Sequence, residues 1–225
     1  MKFHSTKNKF YQVSFEEAVF KSLPPDNGLF YPNALPKLES YWLENLKGMS
    51  KTDIGVKVAS QFIEDEIPGD RLEKIIEETI DFDIPLKKVS NQIAALELFH
   101  GPTWAFKDVG ARFLSRCMAY FIEQSNREIM ILVATSGDTG GAVAAGFFGI
   151  PGIKVKILYP KGKVSEIQRK QLTTWGGNIT AYEVAGTFDD CQRLVKQSFL
   201  DDDLNKAMSL SSANSINIAR LIPQS

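Results

Sequence analysis

The chain has 225 residues, 44% hydrophobic and 24% charged, with 26 basic against 27 acidic residues and a net charge of −1. That length makes one large domain or two small ones and buries a sizeable core. The balanced charge, with no long run of one sign, excludes the basic face of a nucleic-acid or membrane-surface protein, and no apolar run is long enough to span a bilayer.

The opening Met1–Thr6 is too polar for a secretory signal. Ser14, with Glu17 three residues on, reads as the capping box of a helix carrying Ala18, Val19 and Phe20. Pro24-Pro25-Asp26-Asn27-Gly28 is a turn by its chemistry. Further helices are expected over 52–63 and 70–79, so residues 1–90 read as a small, mainly helical N-terminal unit. From residue 91 strands and helices alternate. Strands are expected over 93–99, 129–134, 154–159, 179–184 and 207–210. Helices are expected over 105–124, 140–148, 165–175, 189–199 and 215–222. This alternation predicts an α/β unit over 91–225 with a mostly parallel open sheet and flanking helices. Ligands in such sheets sit at the carboxyl ends of the strands. Ser165 with Gln168 repeats the capping-box spacing, and the acidic run Asp201–Asp203 reads as a solvated loop. Cys117 and Cys191 fall within helical patterns, as small buried hydrophobes do, and two cysteines suit a reducing, cytoplasmic setting.

Three segments carry chemistry. Lys107 stands at a loop-to-helix junction after Phe99-His100-Gly101-Pro102-Thr103-Trp104-Ala105-Phe106. Partial burial beside Phe106 would disfavour the ammonium form and leave a usable amine; a surface lysine in a first helical turn is the plain alternative. Ala134-Thr135-Ser136-Gly137-Asp138-Thr139-Gly140 sets hydroxyls and glycines at a helix start, where an anion or an ordinary N-cap is equally at home. Asn214-Ser215-Ile216-Asn217 with Arg220 offers amides, a hydroxyl and a guanidinium, which suit a phosphate or a cap followed by a solvated arginine. Neither a Walker loop nor a G-x-G-x-x-G motif nor a G-x-S-x-G elbow occurs, and His4 and His100 are the only histidines.

The three segments, in this order, resemble those of the threonine synthase family of fold-type II pyridoxal-phosphate enzymes. The start of the chain, Val13–Val19 and then Gly28–Pro32, is similar to that family as well. The resemblance implies a lyase that takes the small molecule O-phospho-L-homoserine, with water, to L-threonine and phosphate. It implies that Lys107 holds pyridoxal 5'-phosphate as a Schiff base and then serves as general base. Phe106 and Asp138 would lie at the cofactor, Asp138 near the pyridine 3-hydroxyl. Ser136, Thr139, Asn214, Ser215 and Arg220 would bind substrate, the last three its phosphate. No metal is implied, nor a nucleic-acid or membrane partner. Members of the family continue past the Asn-Ser-Ile-Asn segment to a glycine-rich loop that cradles the cofactor phosphate. No such loop follows Arg220 here, so the chain is expected to be an N-terminal half that binds the cofactor poorly by itself. A serine or threonine dehydratase, a related phospho-lyase and a noncatalytic anion-binding domain are the rival readings.

Overall fold

The structure, a computed structural model, describes residues 1–125 and 127–224, with the backbone alone at 206. The N-terminal part is β1 (Phe3–Ser5), β2 (Gln12–Val13), α1 (Phe15–Lys21), β3 (Phe30–Pro32), α2 (Ser40–Asn45), α3 (Lys51–Ile63) and α4 (Gly69–Thr79). Ser14 and Glu17 form the expected capping box on α1, and Ser50 with Asp53 forms another on α3. The reading as mainly helical omits one feature: β1 is flanked by β2 and β3 in a small antiparallel sheet. These strands are two or three residues long, too short for an alternating pattern to register.

A hairpin follows, β4 (Leu86–Lys88) paired antiparallel with β5 (Ala94–Leu96). This corrects the expectation for 93–99. The apolar run joins no parallel sheet; it folds back on its neighbour through Ser90–Gln92, with Val89 N–H donating to the Ile93 carbonyl. Every residue of both strands is exposed.

The α/β unit proper comprises α5 (Lys107–Ser125), β6 (Ile129–Ala134), α6 (Asp138–Phe147), β7 (Ile153–Pro160), α7 (Glu166–Thr173), β8 (Ile179–Val184), α8 (Phe188–Leu200), α9 (Asp202–Ala207), β9 (Leu210–Ser211) and α10 (Ile218–Leu221). Its sheet runs β8-β7-β6-β9 and every pair is parallel, as the alternation predicts. β6 is central, and its continuous apolar run, Ile129 to Ala134, is what a strand covered on both faces requires. Helix α5 lies against α6 where Gly146 admits the backbone of Ala111; a Cβ there would come within 3.2 Å of the Ala111 carbonyl oxygen. Phe3, Phe15, Ile63, Leu72, Phe113, Ile131, Val155 and Ile222 belong to one continuous core that takes in both parts of the chain.

Two boundaries differ from expectation. The acidic run is no free loop: the Asp201 carboxylate accepts the N–H groups of Asp203 and Leu204 and caps α9, which extends to Ala207 and shifts the last strand to Leu210–Ser211. The final helix starts at Ile218, not 215. Its cap is the buried Asn217, whose Oδ1 accepts the Ala219 N–H while its Nδ2 donates to the Val19 carbonyl, 2.8 Å away.

Candidate active site

The lysine segment is held by its own hydrogen bonds. Asp108 is 1% exposed. Its Oδ2 accepts the Thr103 N–H at 2.9 Å and its Oδ1 accepts the Thr103 hydroxyl at 2.5 Å. This clasp closes a short loop in which Trp104 takes φ 58°, a backbone region that favours glycine. Gly101 leaves room for the clasp, since a Cβ there would lie 2.6 Å from Asp108 Oδ2. Lys107 emerges from this turn as the first residue of α5. Its side chain is 44% exposed, and Phe106 is exposed beside it. The expected burial of Lys107 against Phe106 is therefore not found.

What Lys107 meets is a carboxylate. Its Nζ lies 3.5 Å from Asp138 Oδ2, in the first turn of α6. The loop that delivers Asp138 is organised by Thr135, which sequence reasoning passed over in favour of Ser136. The buried Thr135 hydroxyl accepts the N–H groups of Gly137 at 3.0 Å and Gly140 at 2.8 Å. Ser136 is left exposed and makes no cap. The side chain of Gln168, at the start of α7, donates to Asp138 Oδ1 at 2.8 Å. That hydrogen bond holds the Asp138 carboxyl below its usual range, opposed by partial burial and assisted by the Lys107 ammonium.

Asp138's neighbour, Thr139, lines a cavity of about 230 Å³ at the carboxyl end of β6. Asn214, Ser215 and Ala213 line it from the loop after β9, and Phe188, Gln192, Val195 and Lys196 from α8. β7 lies on one side of β6 and β9 on the other, so the cavity sits where the winding of the sheet reverses, the usual ligand position in this architecture. Three clefts are larger, two of about 550 and 500 Å³ at the amino ends of β6 and β7, near Glu128 and Gly152, and one of about 390 Å³ beside Met1 and Glu64, and they contain none of the expected site residues. The smaller cavity is the better candidate because Thr139 and the Asn214-Ser215 loop both line it, and Asp138, next to Thr139, faces Lys107. Lys196 is the one cation among the described residues lining it. Its place four residues after Gln192 looks, in sequence, like an ordinary solvated helix face.

Arg220 does not take the expected place. It is 2% exposed, and its Nη1 donates to the Ala213 carbonyl at 2.8 Å. Its Nε has no partner among the described residues. Burial pushes its guanidinium down to about 10. Asn214 and Ser215 lie outside the helix, which begins only after Asn217. Arg220 lies under the loop that carries Asn214 and Ser215 and fixes its backbone from behind.

The donor set suits a pyridoxal group. An accessible primary amine can bond an aldehyde, and a carboxylate beside it can face the ring's polar substituents. Among the described residues no cluster of histidines, cysteines and carboxylates is arranged to hold a metal.

Comparison with known proteins places the chain in a family. A family model described as threonine synthase N terminus matches residues 2–80. A second, described as pyridoxal-phosphate dependent enzyme, matches residues 84–220. The threonine synthase of Escherichia coli (strain K12) is 44% identical over 224 residues, covering 100% of this chain and 52% of that protein. That of Schizosaccharomyces pombe is 41% identical over 235 residues, covering 98% and 46%. The crystal structure of the Escherichia coli threonine synthase aligns with a TM-score of 0.91 over 100% of this chain and 52% of that one, at 44% identity. A pyridoxal-phosphate-bound threonine synthase from Brucella melitensis gives 0.93 at 39% identity, over 100% and 50%. The chain spans about half the length of the curated relatives it matches.

Proposed function

Because the chain belongs to the pyridoxal-phosphate dependent enzyme family and matches threonine synthases along its whole length, we propose that it is the lysine-bearing half of an enzyme converting O-phospho-L-homoserine and water to L-threonine and phosphate. The observation that carries the reading is the first turn of α6. Asp138 meets Lys107 and the adjacent Thr139 lines the cavity, so one turn joins an amine to an anion-sized pocket.

Lys107 holds the cofactor, with Phe106 and Asp138 beside it. Bound pyridoxal phosphate supplies an electron sink that makes carbon acids of the substrate's Cα and Cβ positions. The Lys107 amine then takes one proton from each of those two atoms and returns one to Cγ, which becomes the methyl carbon once phosphate has left, and one to Cα. Asp138 keeps a negative charge near the lysine through the cycle. Ser136 and Thr139 bind anionic groups of the substrate. Asn214 and Ser215 steady the phosphate as it leaves Cγ, before water adds its hydroxyl at Cβ and gives up its remaining proton to the released phosphate. Arg220 serves this site at one remove, by holding the Ala213 carbonyl, and Lys196 contributes the positive charge that Arg220 was expected to bring.

The division near residue 90, into an N-terminal unit and a cofactor unit from 91, is part of the proposal and is supported by the change from family model to family model between residues 80 and 84. A cytoplasmic location is proposed on the two buried free cysteines; no helix among the described residues is long and apolar enough to cross a membrane.

Borohydride reduction of the cofactor-loaded full-length protein, followed by peptide mapping, should place the label on Lys107. A label on any other lysine would end the assignment. Turnover of O-phospho-L-homoserine, set against serine and threonine as substrates, separates the proposed reaction from a dehydratase.

A further inference from the structure

Gln168 has two hydrogen-bonding duties, and the sequence pattern accounts for only one. Its Oε1 accepts the Ser165 N–H at 3.0 Å, while its own N–H is accepted by Ser165 Oγ at 3.2 Å, completing the capping box on α7. The other end of the same amide, Nε2, donates to Asp138 Oδ1 at 2.8 Å. The opposite carboxylate oxygen, Oδ2, is the one that faces Lys107 Nζ at 3.5 Å. The amide lies over Gly137, where a Cβ would come within 2.3 Å of both Gln168 Cδ and Nε2. Gly137 holds φ 142°, so its lack of a side chain serves both the turn and the fit of the amide.

We propose that Gln168 is a positioning residue for the lysine site: its side-chain amide grips one oxygen of Asp138 so that the other is presented to Lys107. This rests on the reading of Lys107 and Asp138 as the cofactor-facing pair. The chemistry is restrictive. The group between Ser165 N–H and the Asp138 carboxylate must accept at one end and donate at the other. A primary amide of this length does both. A carboxylate accepts at both ends and sets two like charges together, and an apolar side chain does neither. Among the charged groups of the described residues, Lys107 is the one that bears on the Asp138 carboxyl, so Gln168 and Lys107 together fix its orientation.

The capping duty and the gripping duty can be separated by substitution. Gln168→Glu keeps the acceptor for Ser165 N–H and loses the donor to Asp138. Ser165→Ala removes the capping hydroxyl and leaves the amide on Asp138. The direct probe is a water-soluble carbodiimide, which joins a carboxylate to an amine in contact with it, expelling one water that converts the carbodiimide to its urea. In the cofactor-free full-length protein, peptide mapping should find a Lys107–Asp138 cross-link. Gln168→Glu should lower its yield about tenfold, the effect of losing one charge-assisted hydrogen bond. It should also weaken pyridoxal phosphate binding by a similar factor. Ser165→Ala should lower the melting temperature and leave the cross-link yield as it was. A Gln168→Glu protein that cross-links like the wild type would overturn the proposal, as would an equal loss of yield in Ser165→Ala or the absence of the cross-link from the wild type. The cross-link does not depend on the cofactor. The expected pattern combined with a borohydride label on another lysine would therefore uphold the role of Gln168 toward Asp138 and refute the function proposed above.

Discussion

Replacing Asp108 tests whether the lysine turn is held by its own clasp or by its surroundings. In Asp108→Ala, the Thr103 N–H and hydroxyl both lose their acceptor inside a buried loop, since Thr103 is itself buried. Each hydrogen bond to a charged group contributes roughly 1.5–3 kcal/mol. Removing the carboxylate also abolishes the cost of having buried it, which offsets part of that sum. A net loss of about 3 kcal/mol is expected for Ala. Asn at 108 retains one acceptor for the Thr103 N–H and should lose only about 1 kcal/mol. Urea unfolding followed by tryptophan fluorescence measures both. The midpoints should fall in the order wild type, Asn, Ala with the slope unchanged, which marks a change in stability and not in the denatured state. An Ala variant within about 0.5 kcal/mol of wild type would show that the clasp contributes nothing, since that is the range of an ordinary surface substitution. The reasoning about the lysine turn would then be wrong.

Thr135→Val, nearly isosteric, removes the acceptor shared by the Gly137 and Gly140 N–H groups and should cost about 2 kcal/mol in the same urea assay; a neutral result would mean that the loop is held by other contacts. Asp190 completes the capping box of α8 with Thr187, and hydrogen bonds from the Thr187 N–H and hydroxyl and from Arg193 lower its carboxyl from 3.8 to about 2. The stabilisation from this depressed acid is complete above 3.8 and is lost as the pH falls toward 2, so Asp190→Asn should flatten the fall of the melting temperature across that window. Equal slopes in the two proteins would remove Asp190 from the account of acid stability.

The fold was legible where a pattern repeats or a cap has fixed spacing. The run Ile129–Ala134 announced a buried strand, and Ser14 with Glu17 and Ser165 with Gln168 announced helix starts that the structure contains. The run Ile93–Phe99 misled because an apolar stretch of that length carries no information about its partner, and the pairing with Leu86–Lys88 depends on a turn with no glycine to mark it. Asp201 was taken for a solvated charge because an acidic cap and an acidic loop have the same composition. At the site, the order of the segments singled out Lys107, Asp138 and Thr139, and the structure sets the first two 3.5 Å apart with the third on the cavity wall. Thr135 and Gln168 were missed or half-read because their partners are backbone donors and a carboxylate that only the folded chain brings near. The surroundings of Arg220 were hidden for a related reason. Its type suggests an anion, and only burial reveals that it holds a carbonyl.

The loop carrying Asn214 and Ser215 is pinned at both ends to the same helix at the far end of the chain. Ser211 Oγ donates to the Phe20 carbonyl at 2.6 Å and Asn217 Nδ2 to the Val19 carbonyl at 2.8 Å, across 191 and 198 positions of sequence. Closing a chain segment of that length costs on the order of 5 kcal/mol of entropy before any contact forms, more than two such hydrogen bonds return. The pins can therefore close only with the whole core, and they make the loop one of the last parts of the molecule to acquire its shape during folding. The lysine turn is the opposite case, because its clasp spans five residues. The two walls of the candidate site thus mature on different clocks, one set by local diffusion and the other by the meeting of the chain's two extremities.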